Sequence, residues 1–184
     1  QAFRAWANAP VRAVVGQVDG KIVVAGVFTT VGDVTVSAVR TGIARFNADG
    51  SLDTTFDAGV NGSVQSIALQ RDGAIVLGGS FTQAGAGPAP QRRWRIARLL
   101  ADGTLDPSFD PGASSVVTAL AVQADGKTVV AGLFNAVGGG TGATPKNRIA
   151  PINADGTVDA SFHPADPGVV NKLTVQRDGR ILLA

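Results

Sequence analysis

Carboxylates recur at fixed spacing in three nearly identical stretches, and oxygen ligands in such a pattern could bind a metal ion. The stretches read NADGSLDTTFD at 47–57, LADGTLDPSFD at 100–110 and NADGTVDASFH at 153–163. Alternating Asp and Asn oxygens suit Ca²⁺. However, Leu100 replaces Asn47 in the second copy, and the chain has no Glu to close such a loop bidentately. We therefore favour a tight turn, in which Asp accepts backbone N–H bonds and Gly takes positive φ, with calcium as the alternative.

Basic side chains also recur at a spacing of 53 residues, at Arg40, Arg93 and Lys146 and again at Arg95 and Arg148. If equivalent loops lie on one face, these cations form a positive arc that could bind an anionic polymer, and Trp94 could stack on a sugar ring or a base. The alternative is that they are solvated loop charges, some of them paired with Asp. A third basic position, at Arg45 and Arg98, is interrupted by Pro151. The predicted ligand-binding face comprises Arg40, Arg93, Trp94, Arg95, Lys146 and Arg148.

Catalytic residues should break a repeat, because one active site needs one special acid or base. Twelve of the fourteen Asp residues occupy repeated positions, and only Asp33 and Asp166 do not. The single histidine, His163, stands in the register of Asp57 and Asp110. Cys, Glu and Tyr are absent, so no catalytic triad or carboxylate pair assembles. The sequence predicts no enzyme, no catalytic residue, no cofactor and no metal site.

Two glycine-containing stretches resemble phosphate-binding loops only superficially. Asp19-Gly20-Lys21 does not keep its Lys in every copy, and GGGTG at 138–142 is followed by no helical pattern. A phosphate-binding loop needs the N-terminus of a helix to face the anion. Both stretches are therefore predicted to be turns or loops.

These motifs belong to a repeat of 53 residues that runs through the chain without insertion or deletion. Asp-Gly pairs at 19–20, 72–73, 125–126 and 178–179 follow this period, as do the second Asp-Gly series and seven of the eight Phe residues, Phe3 among them, which we expect to lie in the core. We treat the chain as a single repeat domain, 1–184, with three full units between two partial ones. The predicted bounds are 1–10 for the tail of a unit, 11–63, 64–116 and 117–169 for units one to three, and 170–184 for the head of a further unit.

Each unit has the pattern of an antiparallel sheet. Short apolar segments such as VRAVVGQ (11–17) and KIVVAGVF (21–28) are joined through Asp-Gly, which is a strong hairpin signal. A variable Gly/Pro-rich segment follows, then a third strand, the repeated turn and a short fourth strand. Four antiparallel strands per unit of this length predict an all-β fold of about three and a half β-propeller blades. A β-solenoid is the alternative.

The motifs VQ-x-DGK, GGxF and IARLNADGSLD also resemble the delta-60 repeat, a bacterial β-propeller-type repeat of unassigned function. The resemblance covers essentially the whole chain. It departs from the family at the long segments 30–42, 83–95 and 136–148, which we expect to carry whatever is individual to this protein. The family implies a propeller fold and a secreted or surface location, but no chemistry.

Composition narrows the remaining classes of function. The formal net charge is +2, too small to suggest nucleic acid despite a pI near 9.5. No apolar run is long enough to span a bilayer. The absence of an initiator Met suggests a processed product or an excerpt.

We expect an extracellular bacterial scaffold or binding module for glycan, anionic polymer or protein. The alternatives are part of a propeller lyase or hydrolase whose active residues lie outside this chain, or a subunit that completes its ring by oligomerisation.

Overall fold

The structure is a computed structural model that describes residues 4–87, 90–162, 164 and 167–184. Phe3, predicted to lie in the core, and the loop residues His163 and Asp166 fall outside the described residues. The described ranges contain eighteen β-strands and no helix. The strands are β1 (Trp6–Ala7), β2 (Val11–Gly16), β3 (Ile22–Gly26), β4 (Thr30–Gly32), β5 (Ser37–Val39), β6 (Ile43–Phe46), β7 (Val64–Leu69), β8 (Ile75–Gly79), β9 (Gln83–Ala84), β10 (Gln91–Arg92), β11 (Ile96–Leu99), β12 (Val117–Val122), β13 (Thr128–Gly132), β14 (Ala136–Val137), β15 (Thr144–Pro145), β16 (Ile149–Ile152), β17 (Leu173–Val175) and β18 (Ile181–Leu183).

Each full unit is built on a three-stranded antiparallel sheet. The strand orders are β2-β3-β6, β7-β8-β11 and β12-β13-β16, and β17-β18 begin a fourth sheet. The Asp-Gly pairs make the predicted hairpins. In the first, Gln17 N–H donates to the Lys21 carbonyl at 2.8 Å, and Gly20 takes φ of 83°. Asp19 accepts the Lys21 N–H at 3.1 Å, so one short motif supplies both the bend and its cap.

The predicted fourth strand is reduced to single bridges, such as Phe46 with Leu52 and Leu99 with Leu105. The chain then leaves its own unit. Val60 forms a bridge with Ala84 in the second unit, and Ala113 does the same with Val137 in the third. The ends of units one and two are therefore hydrogen-bonded to the outer edge of the following unit.

The segments expected to be long loops contain short outer hairpins. β4 pairs with β5, β9 with β10, and β14 with β15. Repeated glycines at the end of the second strands allow a close backbone approach. A Cβ on Gly26 would overlap the Pro10 carbonyl, and the same holds for Gly79 against Ser63. Glycine recurring inside a strand predicts close packing of neighbouring sheets. The close neighbour is instead the chain leading into the first strand of the same sheet.

Adjacent units pack through opposite faces of their sheets. We call the face toward the preceding unit the leading face and the face toward the following unit the trailing face. Val23 and Ile43 on the trailing face of unit one are buried with Ile75 and Leu77 on the leading face of unit two, around Phe56. Phe109 holds the equivalent place between units two and three. Burying each Phe contributes about 2–3 kcal/mol.

The first strands of successive units contact one another, β2 with β7, β7 with β12 and β12 with β17. These strands therefore lie side by side along one edge of the stack of sheets, while the outer hairpins lie at the other. This is the radial arrangement of propeller blades, and the predicted fold class is confirmed. The predicted unit boundaries stay a prediction.

Candidate ligand-binding loop face

The units have two chemically different ends. Because the strands are antiparallel, both Asp-Gly turns of a unit lie at one end of its sheet, as shown by the approach of Gly20 to Ala48. We call this the turn end. The opposite end carries the segments 27–42, 80–95 and 133–148 with their outer hairpins, and we call it the loop face. All six residues of the predicted binding face belong to the loop face.

At the turn end, the repeated Asp residues cap the chain that follows them. Asp49 Oδ1 accepts the N–H of Ser51 at 2.9 Å and its hydroxyl at 2.6 Å. Asp102 and Asp155 make the same bonds with Thr104 and Thr157. The Ser51 hydroxyl and N–H hold the pKa of Asp49 below its usual value. The carboxylates thus serve the tight turn favoured above, and the expectation that calcium is absent stays a prediction.

A second repeated carboxylate binds cations from its own sheet. Asp53 Oδ2 accepts Lys21 Nζ at 2.7 Å and Arg45 Nε at 2.8 Å. Burial would raise the pKa of Asp53, but the hydrogen bonds from Lys21, Thr55 and Arg45 together lower it well below its usual range. The partners change between units. Asp106 pairs with Arg98, and Ala74 stands at the Lys21 position. Asp159 pairs with Lys127, and Pro151 replaces the arginine.

The same arginines connect neighbouring units. Arg45 Nη1 donates to the Ala101 carbonyl of unit two at 2.6 Å, and Arg98 Nη1 donates to the Ala154 carbonyl of unit three at 2.6 Å. Their guanidinium carbons lie 4.5 and 4.3 Å from the ring centroids of Phe56 and Phe109. Each arginine therefore neutralises a carboxylate, covers a core ring and crosses the interface between units.

On the loop face, three cations share one position of the repeat, and each donates to backbone carbonyl groups of its own unit. They are Arg40, Arg93 and Lys146. Arg40 Nε donates to the Phe56 carbonyl at 2.9 Å, and Lys146 Nζ donates to the Phe162 carbonyl. Arg93 is only 5% exposed and donates to the Asp106 and Pro107 carbonyls, each at 3.3 Å. These side chains fasten each outer hairpin to the segment that follows the third strand. They do not point outward as an arc, and ligand binding by them stays a prediction.

Arg93 also faces a partly buried carboxylate, that of Asp110. Its Nη1 lies 3.6 Å from Asp110 Oδ2, and burial raises the pKa of Asp110 although Arg93 opposes that rise. Arg40 lies 3.7 Å from Asp57 in the first unit. The register of these carboxylates continues to His163, which lies outside the described residues.

Trp94, Arg95 and Arg148 complete the predicted set. The Arg95 guanidinium carbon lies 5.1 Å from the Trp94 ring centroid, and its Nη1 donates to the Ala113 carbonyl at 2.8 Å. Arg95 and Arg148 have positive φ, 68° and 63°, where unit one has Gly42. A Cβ on Gly42 would approach Val60, whereas unit two has the smaller Ala113 at that position. The structure therefore brings Trp94 and Arg95 together on the half-buried part of the loop face.

Two features of the loop face were missed from the sequence. The first outer hairpin exposes Val34, Val36 and Val39, and the alternation in VTVSAV at 34–39 was the signal that a strand lay there. Asp33, which stands outside the repeat, fixes this hairpin. Its carboxylate accepts the N–H groups of Leu52, Thr35 and Val36 and the Thr35 hydroxyl, and the bond from Leu52 is the largest cause of its lowered pKa.

Comparison with known proteins concerns the repeat units on which the loop face is built. Residues 17–56, 70–109 and 123–162 each match a family described as a domain of unknown function (DUF5122) beta-propeller. The chain belongs to this beta-propeller family. Each match starts just after the first strand of a unit and contains its two Asp-Gly turns, its second and third strands and its outer hairpin. The matches start 53 residues apart, which is the period of the sequence.

A solved WD40 structure agrees with the fold. The chain is similar to the WD40 β-propeller domain of Doa1, with 16% identity and a TM-score of 0.63, covering 96% of this chain and 48% of that one. It thus spans about half the length of that structure. It also matches the extracellular domain of BT4673 from B. thetaiotaomicron, with 10% identity, a TM-score of 0.49, and 94% and 20% coverage. No curated protein matches in sequence. Within the described ranges, no helix is long and apolar enough to cross a membrane.

Proposed function

We propose that this chain is a non-catalytic recognition module of a secreted or surface-displayed bacterial protein, and that its loop face binds glycan or protein. The observation that carries the proposal is that the repeated charged side chains and the variable segments have different places in the structure. Repeated Asp, Arg and Lys side chains are engaged in turns, ion pairs and carbonyl contacts that hold the frame. The segments 27–42, 80–95 and 133–148, whose sequences vary between units, form the loop face. The resemblance to the delta-60 repeat supports the bacterial and extracellular part of the proposal.

Trp94 and Arg95 supply the most specific binding chemistry on this face. An aromatic ring stacks on the apolar face of a sugar, and an adjacent guanidinium can donate hydrogen bonds to hydroxyl or carboxylate oxygens. Arg95 keeps positive φ at a position where glycine is the unstrained choice, at a cost of about 1 kcal/mol. The same conformation recurs at Gly42 and Arg148, so it belongs to the frame of the repeat, and in unit two the Arg95 guanidinium lies beside the Trp94 ring.

The proposal that the chain is not catalytic rests on the contacts and pKa values of the Asp side chains. The Asp residues at the second repeated position are paired with cations, and those at the turn end accept backbone N–H bonds. These contacts lower the pKa values of Asp53, Asp106 and Asp159, which keeps the carboxylates ionised at neutral pH. An acid catalyst needs the opposite shift, which burial gives the pKa of Asp110, and Arg93 opposes that rise.

The test is a glycan and anionic-polymer array, probed with the 184-residue chain at low and at physiological salt. We expect a sugar-containing ligand whose binding is lost in Trp94→Ala. Arg71→Ala is the matched control, because it removes an exposed cation at the turn end, and it should bind as the parent does. A ligand retained by Trp94→Ala, or one lost equally in both variants, would contradict the assignment of the site. A blank array at both salts would leave protein as the ligand class and overturn glycan recognition.

A further inference from the structure

A cavity of about 350 Å³ lies at the turn end, where units two and three meet. Gln70, Ala74 and Asp106 of unit two form part of its wall, and residues of unit three form the rest. Two further lining residues, Arg71 and Leu100, are exposed, so the cavity opens to solvent at the turn end. It is bounded on both sides by units of this chain.

The repeat shows which chemical group fits at this place. In unit one, Lys21 stands at the position of Ala74, and its Nζ lies 2.7 Å from Asp53 Oδ2. In unit three, Lys127 stands there, and its Nζ lies 2.7 Å from Asp159 Oδ2. Both neighbouring units therefore place a primary ammonium group on the second repeated carboxylate.

Unit two has the carboxylate without the lysine. Asp106 is only 7% exposed, and Arg98 is its one cation among the ion pairs of the described residues. An arginine in this position leaves room for an ammonium group, because Asp53 Oδ2 in unit one accepts both Lys21 Nζ and Arg45 Nε. A second cation beside the arginine is thus compatible with the architecture of the unit.

Gln70 provides a separate observation that points to a ligand. Its side chain is 9% exposed, and its Nε2 donates to the Gly126 carbonyl at 3.3 Å, which sets the orientation of the amide. Its Oε1 is buried and has no hydrogen-bond partner among the described residues, whereas the equivalent Gln17 Oε1 accepts Arg45 Nη1 at 3.5 Å. A buried acceptor without a donor is costly, so a ligand that carries N–H groups is favoured here.

We propose that this cavity binds the primary ammonium group of an alkylamine, with the nitrogen on Asp106 in the place that Lys21 Nζ takes on Asp53. Leu100 and Val122, which also line the cavity, supply apolar surface for the alkyl chain. The site lies at the opposite end of the units from the loop face, so the inference is independent of the ligand proposed for that face.

The test is a titration of the ¹⁵N-labelled 184-residue chain with n-propylammonium chloride at constant ionic strength, followed by NMR chemical shifts. Propylammonium has the carbon and nitrogen atoms by which a lysine side chain exceeds that of alanine. We expect saturable shifts of the Ala74 and Ser108 amide groups, with a Kd on the order of millimolar for so small a ligand. n-Propanol, which has the same size but no charge, should give no saturable shift.

Variants at the lysine position make the test specific. Ala74→Lys should weaken propylammonium binding at least about tenfold, because the new Nζ takes the same place on Asp106. Lys21→Ala should create a second saturable site, with shifts around Asp53. Asp57→Asn is the matched control, since it removes an exposed carboxylate beside Arg40, and it should bind as the parent does.

The results that would overturn the proposal are equally specific. They are a parent chain without saturable shifts, equal shifts with n-propanol, unchanged binding in Ala74→Lys, and a Lys21→Ala variant with no second site. Circular dichroism verifies that each variant keeps the β-fold.

A second ligand separates two sources of the ammonium group. Nα-acetyl-lysine N-methylamide carries a lysine side chain on a peptide backbone. Binding at least as tight as that of propylammonium would support the site and assign it to a lysine side chain of a partner. Binding only of propylammonium would support the site and assign it to a free amine, and binding of neither would overturn the proposal.

Discussion

Removing Arg98 should destabilise the chain more than removing its register partner Arg45, although the two side chains make nearly the same contacts. Both arginines donate to a carbonyl of the next unit and cover a core phenylalanine. They differ in which cation remains beside the paired carboxylate once the arginine is removed. Without Arg45, Asp53 still has Lys21 Nζ at 2.7 Å, whereas without Arg98, Asp106 has no cation among the ion pairs of the described residues.

The magnitude follows from that difference. Arg→Met keeps the apolar stem and removes one carbonyl hydrogen bond and one cation–ring contact, which together contribute about 1–2 kcal/mol. A buried ion pair broken on one side costs about 3–5 kcal/mol, because the remaining charge is uncompensated. We therefore expect Arg45→Met to lower the free energy of unfolding by about 1–2 kcal/mol and Arg98→Met by about 3–5 kcal/mol.

The assay is urea denaturation at pH 7, repeated at lower pH. Hydrogen bonds from Ser108 and Arg98 outweigh burial and lower the pKa of Asp106. Its stabilising effect is present above the unfolded pKa of about 3.9 and is lost as the pH falls through the folded value. The difference between the parent chain and Arg98→Met should therefore shrink below about pH 4.

A double variant tests the stated cause. Asp106→Asn keeps an oxygen for the Ser108 N–H and hydroxyl but removes the charge, so Arg98→Met/Asp106→Asn should be more stable than Arg98→Met alone. Equal losses for Arg45→Met and Arg98→Met, or no recovery in the double variant, would refute the argument from the uncompensated carboxylate.

Three further predictions follow from local geometry. Gly42→Ala should cost about 2 kcal/mol, because φ is +75° and the new Cβ would lie 2.5 Å from Val60 Cγ2, whereas Gly59→Ala, which meets open space, should be near neutral in the same urea assay. Phe109→Ala should cost about 3–5 kcal/mol, since the ring is fully buried between units two and three, and a loss below that of a surface substitution would contradict its place in the core. Asp33→Asn should lower the urea midpoint at pH 7 but have less effect well below pH 4, because the lowered pKa of Asp33 confines its contribution to higher pH; an equal effect at both would contradict this.

Much of the fold could be predicted because its determinants are local and repeated. An Asp-Gly pair between two apolar segments specifies a hairpin by turn geometry alone, and the period of 53 residues carries that result through the chain. The fourth strand was harder to predict, because Val60 forms its bridge with Ala84 of the next unit. A pairing between units depends on how the sheets stack, which no single unit encodes.

The candidate site was predicted less completely, because residue type and register do not give side-chain direction. Arg40 and Lys146 repeat at one position because each donates to a carbonyl sixteen residues later, and that contact exists only after the outer hairpin has folded back. Repetition thus identifies the frame of this chain more reliably than it identifies a binding surface. The residues that break the register are better candidates, and Trp94 and Trp6 both do so. Trp94 lies beside Arg95 on the loop face, and Trp6 donates to the carbonyl of Asp33, which also stands outside the repeat.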